Sequence, residues 1–390
     1  MHTPLESELS ILRDQGLTRQ RRVVDSSCSR LVTVESKTCL NFASNDYLGL
    51  ANHPALIKAM AAGAEIWGTG AGASHLVSGH MAAHETLEVA LAQFIGFPRA
   101  LTFSTGYLAN LAVTPTLAGR GDAVFADKLN HASLIDGMQL AKAQGASVYR
   151  YPHLELSRLR ALLSASTAHR KLIVTDAVFS MDGDIAPLPE LLALADQFNA
   201  WLLVDDAHGF GVLGPQGQGT VAHFGNHTAL TAHPRLVWMA TLGKAAGVSG
   251  AFIAGSETLI EYLIQKSRAY IFTTAAPPAM ACALQESLRL IQAGDDRRAQ
   301  LQARIAQLQA GLSHLPWKAL PSQTAIQPLI VGSNAAALAL SRSLWDQGIW
   351  APAIRPPTVP KGTARLRLSL SATHTAEDIE GLLSALRSLA

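Results

Sequence analysis

The 390-residue chain has few cysteines, few charges and no long run of like charge. Its cysteines, Cys28, Cys39 and Cys282, are isolated and lack metal-ligand spacing, which favours reduced thiols over a disulfide framework or a zinc site. Charged residues make up 15% and hydrophobic residues 48% of the chain, so the composition excludes a disordered protein. A formal net charge of +2, with one short basic cluster at 19–22, gives no support for nucleic-acid binding.

The sequence also lacks a secretory signal and an uninterrupted membrane-spanning run. The N-terminal segment carries Glu6, Glu8, Arg13 and Asp14 and has no apolar centre. Elsewhere, every long apolar stretch is interrupted by charge, glycine or proline before it reaches the length of a bilayer. These patterns, together with the reduced thiols, predict a soluble protein of the cytoplasm that has no membrane partner.

The sequence does contain two apolar runs that end abruptly in polar residues. Residues 201–204 are apolar and are followed by Asp205 and His208, while 236–240 are apolar and precede Lys244. Ligands of open α/β sheets bind at the carboxyl ends of such buried strands. A lysine can carry pyridoxal phosphate as a Schiff base, and an aspartate can keep its ring nitrogen protonated. The two runs therefore predict a site for this cofactor.

Strand-like and helix-like segments alternate between about 46 and 255, which predicts an α/β domain with a mostly parallel, seven-stranded sheet. The strands are predicted at 100–104, 122–126, 147–151, 171–180, 200–205, 236–241 and 249–254. The helices between them are predicted at 84–95, 107–118, 133–144 and 187–199.

The two ends of the chain predict smaller elements. A helix over 5–22 and a hairpin of 31–34 with 39–42 precede the sheet domain. After Pro277 and Pro278 the pattern predicts an amphipathic stretch at 279–314, strands at 325–331, 349–354 and 364–370, and helices at 334–347 and 375–389. Thr375 and Asp378 are predicted to cap the last helix. The predicted division is an N-terminal segment 1–45, a large cofactor-binding domain 46–285 and a C-terminal α+β domain 286–390.

A phosphate site is predicted at the turn Ser104–Tyr107, where a strand ends and a helix begins with Gly106. Such a glycine is also common in turns without a ligand. The Gly-rich stretch 68–72 follows no clear strand and lacks the Lys-Ser/Thr of a P-loop. It is therefore interpreted as a backbone loop near the active site.

Lys244 is the most informative single residue because glycine and alanine surround it, and small neighbours let a planar ring approach closely. Burial and imine formation are expected to lower its pKa from about 10.4, as a Schiff-base nucleophile and general base requires. A lysine extended to the surface is the alternative. Asp205 and His208 are expected to bind the ring nitrogen and its oxygen, or else to satisfy only each other.

Three further residues stand at segment ends or in a stiff loop. His131, at a strand-to-helix junction, is able to stack on a cofactor ring and donate a proton, or to be an ordinary cap neighbour. Ser180 closes a predicted strand and is able to donate to the cofactor. Arg355, in a proline-rich loop, suits a substrate carboxylate or an interdomain salt bridge.

No metal site is predicted. His208, His223, His227 and His233 have loop-like spacing rather than a compact ligand set. His80 and His84 lie one helical turn apart without the glutamate of a zinc protease, so both are expected at the surface or hydrogen-bonded within the protein.

In combination these segments resemble the α-oxoamine synthases, which are pyridoxal phosphate enzymes of fold type I. The resemblance extends from about residue 19 to 389, and the segments that carry it are 44–50 (SNDYLGL), 178–184 (VFSMDGD), 204–209 (VDDAHG), 242–244 with 247–250 (LGK and GVSG) and 354–370 (IRPPTVPKGTARLRLSL). The last segment favours the members that join L-alanine to a pimeloyl thioester, on coenzyme A or acyl carrier protein, in biotin biosynthesis.

The resemblance implies an acyltransferase in which Lys244 and His131 are catalytic. It implies that the cofactor is bound by Lys244, Gly106, Tyr107, His131, Ser180, Asp205, His208, Thr241 and Thr274. It implies that the substrates are bound by Arg19, His131, Arg355 and Thr358. Thr274 matches a position expected to reach the partner subunit's phosphate, which implies an obligate homodimer.

The chain departs from the family's pattern at Asp176, where glutamate is usual, and at His75 and Leu76 in the Gly-rich loop. Three alternatives remain. A sister synthase that uses glycine shares the cofactor residues. A nucleotide-dependent oxidoreductase requires a cleaner G-x-G-x-x-G after the first strand. A silent partner subunit is expected to have lost Lys244.

Overall fold

The computed structural model describes residues 3–225 and 227–390. Their α-helices are α1 Pro4–Asp14, α2 Pro54–Trp67, α3 Ala82–Ile95, α4 Gly106–Leu117, α5 Ala132–Ala143, α6 Leu156–Ala165, α7 Leu188–Gln197, α8 Thr220–His223, α9 His227–Thr231, α10 Glu257–Lys266, α11 Arg268–Ile271, α12 Pro278–Gln292, α13 Asp295–Leu312, α14 Asn334–Asp346 and α15 Ala376–Ser388. Their strands are β1 Leu31–Val34, β2 Lys37–Asn41, β3 Arg99–Phe103, β4 Ala123–Asp127, β5 Ser147–Tyr151, β6 Lys171–Asp176, β7 Trp201–Asp205, β8 Leu236–Thr241, β9 Ala251–Gly255, β10 Lys318–Ala319, β11 Ile326–Gly332, β12 Ile349–Trp350, β13 Ala353–Ile354 and β14 Ala364–Ser369.

The predicted seven-stranded sheet is confirmed, with strand order β3-β9-β8-β7-β6-β4-β5. Strands β8, β7, β6, β4 and β5 pair in parallel, whereas β9 runs antiparallel to both β3 and β8. Because parallel strands end at the same edge of a sheet, the polar residues after β4, β6, β7 and β8 are brought together there.

Packing of apolar side chains on the sheet fixes the helices next to that edge. Helices α4 and α5 contact each other, and α4 also contacts β8 and β9. Val113 of α4, Leu134 of α5 and Val237 of β8 belong to one core cluster, and none of them exposes any surface. Burying a side chain of this size stabilises the fold by about 1.5–3 kcal/mol. The N-termini of α4 and α5 are therefore held rigidly.

Contacts within the chain define two compact units. One comprises residues 3–49, Met181–Asp184 and Arg297–Ala390, and the other comprises Leu50–Ser180 and Ile185–Asp296. The sequence-based division at 45 and 285 follows the order of the chain. The packing instead groups the N-terminal hairpin with the C-terminal region, because β2 pairs in parallel with β12.

The smaller unit contains two sheets, one of order β1-β2-β12 and one of order β10-β11-β14-β13. The predicted hairpin is confirmed by the antiparallel register of β1 and β2. The predicted cap of the last helix is also confirmed, since Thr375 and Asp378 form a capping box at α15.

Two predicted elements are shorter than the sequence pattern suggested. The helix predicted at 5–22 is wrong beyond Asp14, because Gly16 turns the chain with a left-handed φ of 63°. The strand predicted at 171–180 ends at Asp176; beyond it Val178 bridges Ile185 rather than continuing along β7.

Two other predicted elements are divided. The amphipathic stretch 279–314 is two helices, α12 and α13, separated at 293–294. The strand predicted at 349–354 is two short strands in different sheets, β12 and β13. Pro352 lies between them, and a proline has no main-chain N–H to continue a ladder.

Within the described residues, no helix is both long enough and apolar enough to cross a membrane.

Candidate active site

Asp205, the last residue of β7, is buried with 3% of its surface exposed. Its Oδ1 accepts a hydrogen bond from the Ala207 amide at 2.9 Å. Its Oδ2 accepts one from Nδ2 of Asn110 on α4 at 2.7 Å. Two donors thus fix the carboxylate in place, as a partner of a cationic ring nitrogen requires.

Lys244 lies in the turn after β8, and its Nζ is 2.9 Å from Nε2 of the buried His208. The turn is closed by hydrogen bonds from the Gly247 amide to the Lys244 carbonyl and from the Leu242 amide to the Gly250 carbonyl, both at 2.8 Å. Gly247 has a φ of 70°, and a Cβ there would lie 2.6 Å from main-chain atoms of 50–51. Glycine at position 247 is therefore required by the backbone conformation, whether or not a ligand binds.

His131 is the N-cap residue of α5, and its main-chain amide donates to Oδ2 of Asp176 at 2.7 Å. Although the residue is exposed overall, desolvation of the imidazole lowers the pKa of His131. Asp205 acts on this pKa in the opposite direction and Lys244 in the same direction, so both charges lie close to the ring. A neutral imidazole next to the two residues is suited to hydrogen bonding and proton transfer.

Two more acids lie at the same edge of the sheet. Asp176 of β6 is directly opposite Asp205 in the register of the two strands. Burial, and next the charge of Asp205, raises the pKa of Asp176 well above its usual value. Burial also raises the pKa of Asp206 to about 8, against hydrogen bonds from the amide and hydroxyl of Thr220. The two acids next to Asp205, Asp176 and Asp206, therefore favour their own neutral, protonated forms.

The turn before α4 has the geometry of an anion site. Thr105 caps the helix by accepting from the Leu108 amide, and the N-terminal amides of the helix carry partial positive charge. A Cβ at Gly106 would lie 2.5 Å from Cγ2 of Thr241, so only glycine allows this close approach to the end of β8. Tyr107 is exposed at the surface, and its hydroxyl bonds Asp136.

The two remaining predicted cofactor residues are Ser180 and Thr274. Ser180 is half-buried and follows the short segment after β6. Thr274 is exposed, and its main chain forms an antiparallel bridge with Ser74 of the Gly-rich loop.

Of the predicted substrate residues, His131 lies in the larger unit and the other three lie in the smaller unit. Arg355 is half-buried, and its guanidinium donates to the main-chain carbonyls of Gly16 and Thr18, the latter at 3.2 Å. Thr358 is exposed and closes the proline-rich loop through its amide, which donates to the Arg355 carbonyl at 3.1 Å. Arg19 is exposed.

His75 and Leu76, the departures in the Gly-rich loop, lie in a short π-helical turn at His75–Gly79. Nδ1 of His75 is 2.8 Å from Nδ1 of His80, and His84 is close to both rings. The prediction that His84 is satisfied within the protein is confirmed, because Nδ1 accepts from the Met81 amide and Nε2 bonds the Ala276 carbonyl. With both nitrogens engaged, His84 is a poor metal ligand.

Sequence reasoning missed Asn110 and Ser133 and the contact made by Asp176. Asn110 lies one helical turn after Gly106, and Ser133 lies two residues after His131. The available signal was their position in the first turns of helices that follow predicted site residues. The contact between Asn110 and Asp205 joins residues 95 positions apart, so no local pattern contains it.

Comparison with known proteins places this site in a family. The model of the aminotransferase class I and II family matches residues 37–386. The chain therefore belongs to the aminotransferase class I and II family and has the pyridoxal phosphate transferase fold of type I.

Within that family, its relatives include 8-amino-7-oxononanoate synthases. The one from Dechloromonas aromatica (strain RCB) is 66% identical over 386 residues, which is 99% of either chain. The one from Herminiimonas arsenicoxydans is 60% identical over 385 residues, or 98% of either chain. The resemblance to the α-oxoamine synthases is thereby confirmed.

Solved structures agree with this assignment. Serine palmitoyltransferase of Sphingomonas wittichii has a TM-score of 0.91 at 32% identity, with 99% of this chain and 96% of that chain covered. A structure of SPT with PLP has a TM-score of 0.91 at 30% identity, covering 98% and 96%. The 8-amino-7-oxononanoate synthase of Francisella tularensis has a TM-score of 0.77 at 32% identity, covering 90% and 97%.

The residues present fit pyridoxal phosphate. Lys244 supplies the amine, Asp205 is an oriented acceptor for a cationic nitrogen, and the turn at Gly106 offers amides for a phosphate. His131 adds a neutral imidazole beside the acid and the amine.

Proposed function

We propose that this chain condenses L-alanine with a pimeloyl thioester, carried on coenzyme A or acyl carrier protein. The products are 8-amino-7-oxononanoate, carbon dioxide and the free thiol, as a step of biotin biosynthesis. The observation that carries the proposal is the Lys244 amine, 2.9 Å from His208 and beside the strand end that holds Asp205. The names of the relatives, at 60–66% identity over nearly the whole chain, support this choice of substrates.

The residues proposed to bind the cofactor form three groups. Asp205 balances the positive charge of the ring nitrogen, and His208 with Ser180 bonds the ring oxygen. The phosphate would be bound at the N-terminus of α4 by Gly106, Tyr107 and Thr241. His131 would contact the ring, and Lys244 would hold the cofactor covalently.

Lys244 and His131 are proposed to carry out the proton chemistry. When bound, pyridoxal phosphate supplies an electron sink that stabilises negative charge on the α-carbon of the amino acid. The amino group of alanine would take the place of Lys244 on the cofactor, and the freed Lys244 Nζ would remove the α-proton and later return a proton to the same carbon, with His208 Nε2 as its hydrogen-bond partner. His131 donates to the oxygen that becomes negative when the thioester carbonyl is attacked.

Arg355, Thr358 and Arg19 are the residues proposed to bind substrate. A guanidinium can bind a carboxylate through two parallel hydrogen bonds, and Arg355 already binds two acceptors, the carbonyls of Gly16 and Thr18. In this role the substrate carboxylate replaces the carbonyls as the acceptor. Charge-assisted bonds are stronger than bonds to neutral carbonyls, which favours the exchange.

The proposal includes a homodimer that acts in the cytoplasm. Thr274 is exposed beside the Gly-rich loop, where it is available to a partner subunit's phosphate. Cys28, Cys39 and Cys282 are all free thiols, which agrees with a reducing compartment.

The test is to load the purified protein with pyridoxal phosphate and record its absorbance with L-alanine, glycine and L-serine. L-alanine is expected to change the spectrum at the lowest concentration. Adding pimeloyl-CoA, or pimeloyl acyl carrier protein in a second arm, is expected to release carbon dioxide and give 8-amino-7-oxononanoate by mass spectrometry. A spectrum that responds to glycine or L-serine but not to L-alanine would refute the proposal.

A further inference from the structure

Asn110, Ser133 and His131 form a hydrogen-bonded chain that ends on Asp205. Nδ2 of Asn110 lies 2.7 Å from Oδ2 of Asp205 and 2.8 Å from Oγ of Ser133. Oγ of Ser133 is in turn 2.8 Å from Nδ1 of His131. Asn110 and Ser133 are buried, with 0% and 1% of their surface exposed, so water does not compete for these bonds.

The chemistry of the groups determines the direction of each bond. Nδ2 of Asn110 donates to Oδ2 of Asp205, and its second hydrogen points to Oγ of Ser133. Oγ of Ser133 accepts from Asn110 and keeps its own hydrogen, which is free to be donated to Nδ1 of His131. The Ser133 amide also donates to this nitrogen, at 3.3 Å. Nδ1 of His131 is therefore an acceptor.

An acceptor at Nδ1 settles the tautomer of the imidazole. The neutral ring has one hydrogen, and with Nδ1 unprotonated the hydrogen is on Nε2. Across residues 3–225 and 227–390, no group hydrogen-bonds Nε2 of His131. The ring thus presents an N–H donor that the protein itself does not use.

We propose that Ser133, oriented by Asn110, is a positioning residue that holds His131 as the Nε2–H tautomer, so that the imidazole meets the reacting substrate as a donor. This inference rests on the proposed function, which assigns His131 to the developing negative oxygen. The same amide of Asn110 bonds Asp205, so one side chain orients both the ring-nitrogen partner and the donor.

An independent observation agrees with a role in orientation. When Asn110 directs its NH₂ group at Asp205 and Ser133, its Oδ1 is left buried, and no described residue bonds it. A buried polar atom without a partner destabilises a fold. The orientation of the Asn110 amide therefore lowers the stability of the fold, as is expected of a residue that is part of a functional site.

The primary measurement is ¹⁵N-histidine NMR of the cofactor-free protein at pH 7.5, which reports the protonated nitrogen of each ring. His131→Leu identifies the signals of residue 131 among the 14 histidines. The expected result is a protonated Nε2 and an unprotonated, hydrogen-bonded Nδ1. A hydrogen on Nδ1 overturns the proposal. This readout needs no substrate, so it is independent of whether the proposed reaction occurs.

The second measurement uses Ser133→Ala, which removes the hydroxyl and keeps the helix amide. The Nδ1 signal is expected to shift as it loses one donor, and kcat is expected to fall about tenfold, a part of what a proton-transfer group contributes. KM for L-alanine and cofactor affinity are expected to stay within about twofold, and Ser133→Thr, which keeps the hydroxyl, to restore kcat. An unchanged Nδ1 signal and kcat in Ser133→Ala overturn the proposal.

Thr116→Val is the matched control. Thr116 lies on α4, as Asn110 does, and its hydroxyl bonds the Ala112 carbonyl at 2.6 Å, away from His131. This variant is expected to leave the Nδ1 signal and kcat unchanged. A loss of kcat equal to that of Ser133→Ala would mean that removing any hydroxyl near α4 lowers the rate, and would overturn the specific role of Ser133.

Discussion

In both His131 and His374, Nδ1 accepts a hydrogen bond from the main-chain amide of a nearby serine, but the two residues have different roles. Nδ1 of His131 accepts from the amide of Ser133, two residues on, and Nδ1 of His374 accepts from the amide of Ser371, three residues before it. At His374 the other nitrogen bonds the Asn41 carbonyl at 3.1 Å. At His131 the other nitrogen has no partner among the described residues.

The surroundings of the two histidines also differ: His374 lies in the core, whereas His131 is exposed. His374 is 4% exposed and stacks on Phe42 with ring centroids 4.6 Å apart. Burial lowers the pKa of His374 to about 4, so both its nitrogens serve the fold in the neutral form. His131 keeps an exposed edge, and the charges of Asp205 and Lys244 act on it. A histidine is thus structural when both nitrogens are bonded within the protein, and is available for chemistry when one is not.

The largest effect on turnover is expected at Lys244, because a donor at His131 has no effect on catalysis unless Lys244 is present. Lys244→Ala is expected to lower kcat at least about a thousandfold, because the covalent link and the proton carrier are both lost. The melting temperature is expected to change little, since the side chain is only half-buried. Turnover and the absorbance of bound cofactor are the measurements. Lys58→Ala on the exposed face of α2 is the control, and near-normal turnover of Lys244→Ala would contradict the assignment.

The same substitution at both histidines tests the comparison directly. His131→Leu is expected to lower kcat about 10²- to 10³-fold, because the donor to the developing negative oxygen is lost. Its free energy of unfolding is expected to fall by about 1 kcal/mol, since the variant loses the Nδ1 cap of α5 whereas Nε2 contributes no bond to the fold. Steady-state kinetics and urea unfolding measure the two quantities. A larger loss of stability than of activity would contradict the role given to His131.

His374→Leu is expected to show the reverse pattern. It leaves the Ser371 amide and the Asn41 carbonyl buried without their partner, and should lower the free energy of unfolding by about 3 kcal/mol. At a temperature where the variant is folded, kcat should stay within about twofold of wild type. Urea unfolding and kinetics with L-alanine test both points, and a kcat loss like that of His131→Leu would refute the distinction.

The smallest effect is the pH dependence of stability due to His374. Its pKa is about 4 in the folded protein and about 6.5 in the unfolded chain, so the unfolded state binds more protons between these values. Its contribution is present above pH 6.5 and is lost as the pH falls, by about 1.5 kcal/mol between pH 6.5 and pH 5. The measured quantity is the difference in unfolding free energy between wild type and His374→Gln. A difference independent of pH would contradict the lowered pKa.

Much of the site was predictable because polar residues directly follow buried apolar runs. The ends of β7 and β8 are visible in the sequence as Asp205 and Thr241, and the turn with Lys244 comes immediately after β8. The extent of β6 was not predictable, because apolar residues continue past Asp176 to Phe179 and local pattern does not show where pairing stops. Arg355 was identified, but not the carbonyl groups of Gly16 and Thr18 that it binds.

The sequence by itself determined the alternation of strands and helices, the capped start of the last helix and the residue types available at the strand ends, since each depends on neighbours a few positions apart. Only the tertiary structure decided which of these residues meet. Asn110 reaches Asp205, and the His131 amide reaches Asp176, because parallel strands and the helices packed on them align segments 45–95 residues apart. That alignment depends on the register of buried strands and on core packing, which act over the whole unit.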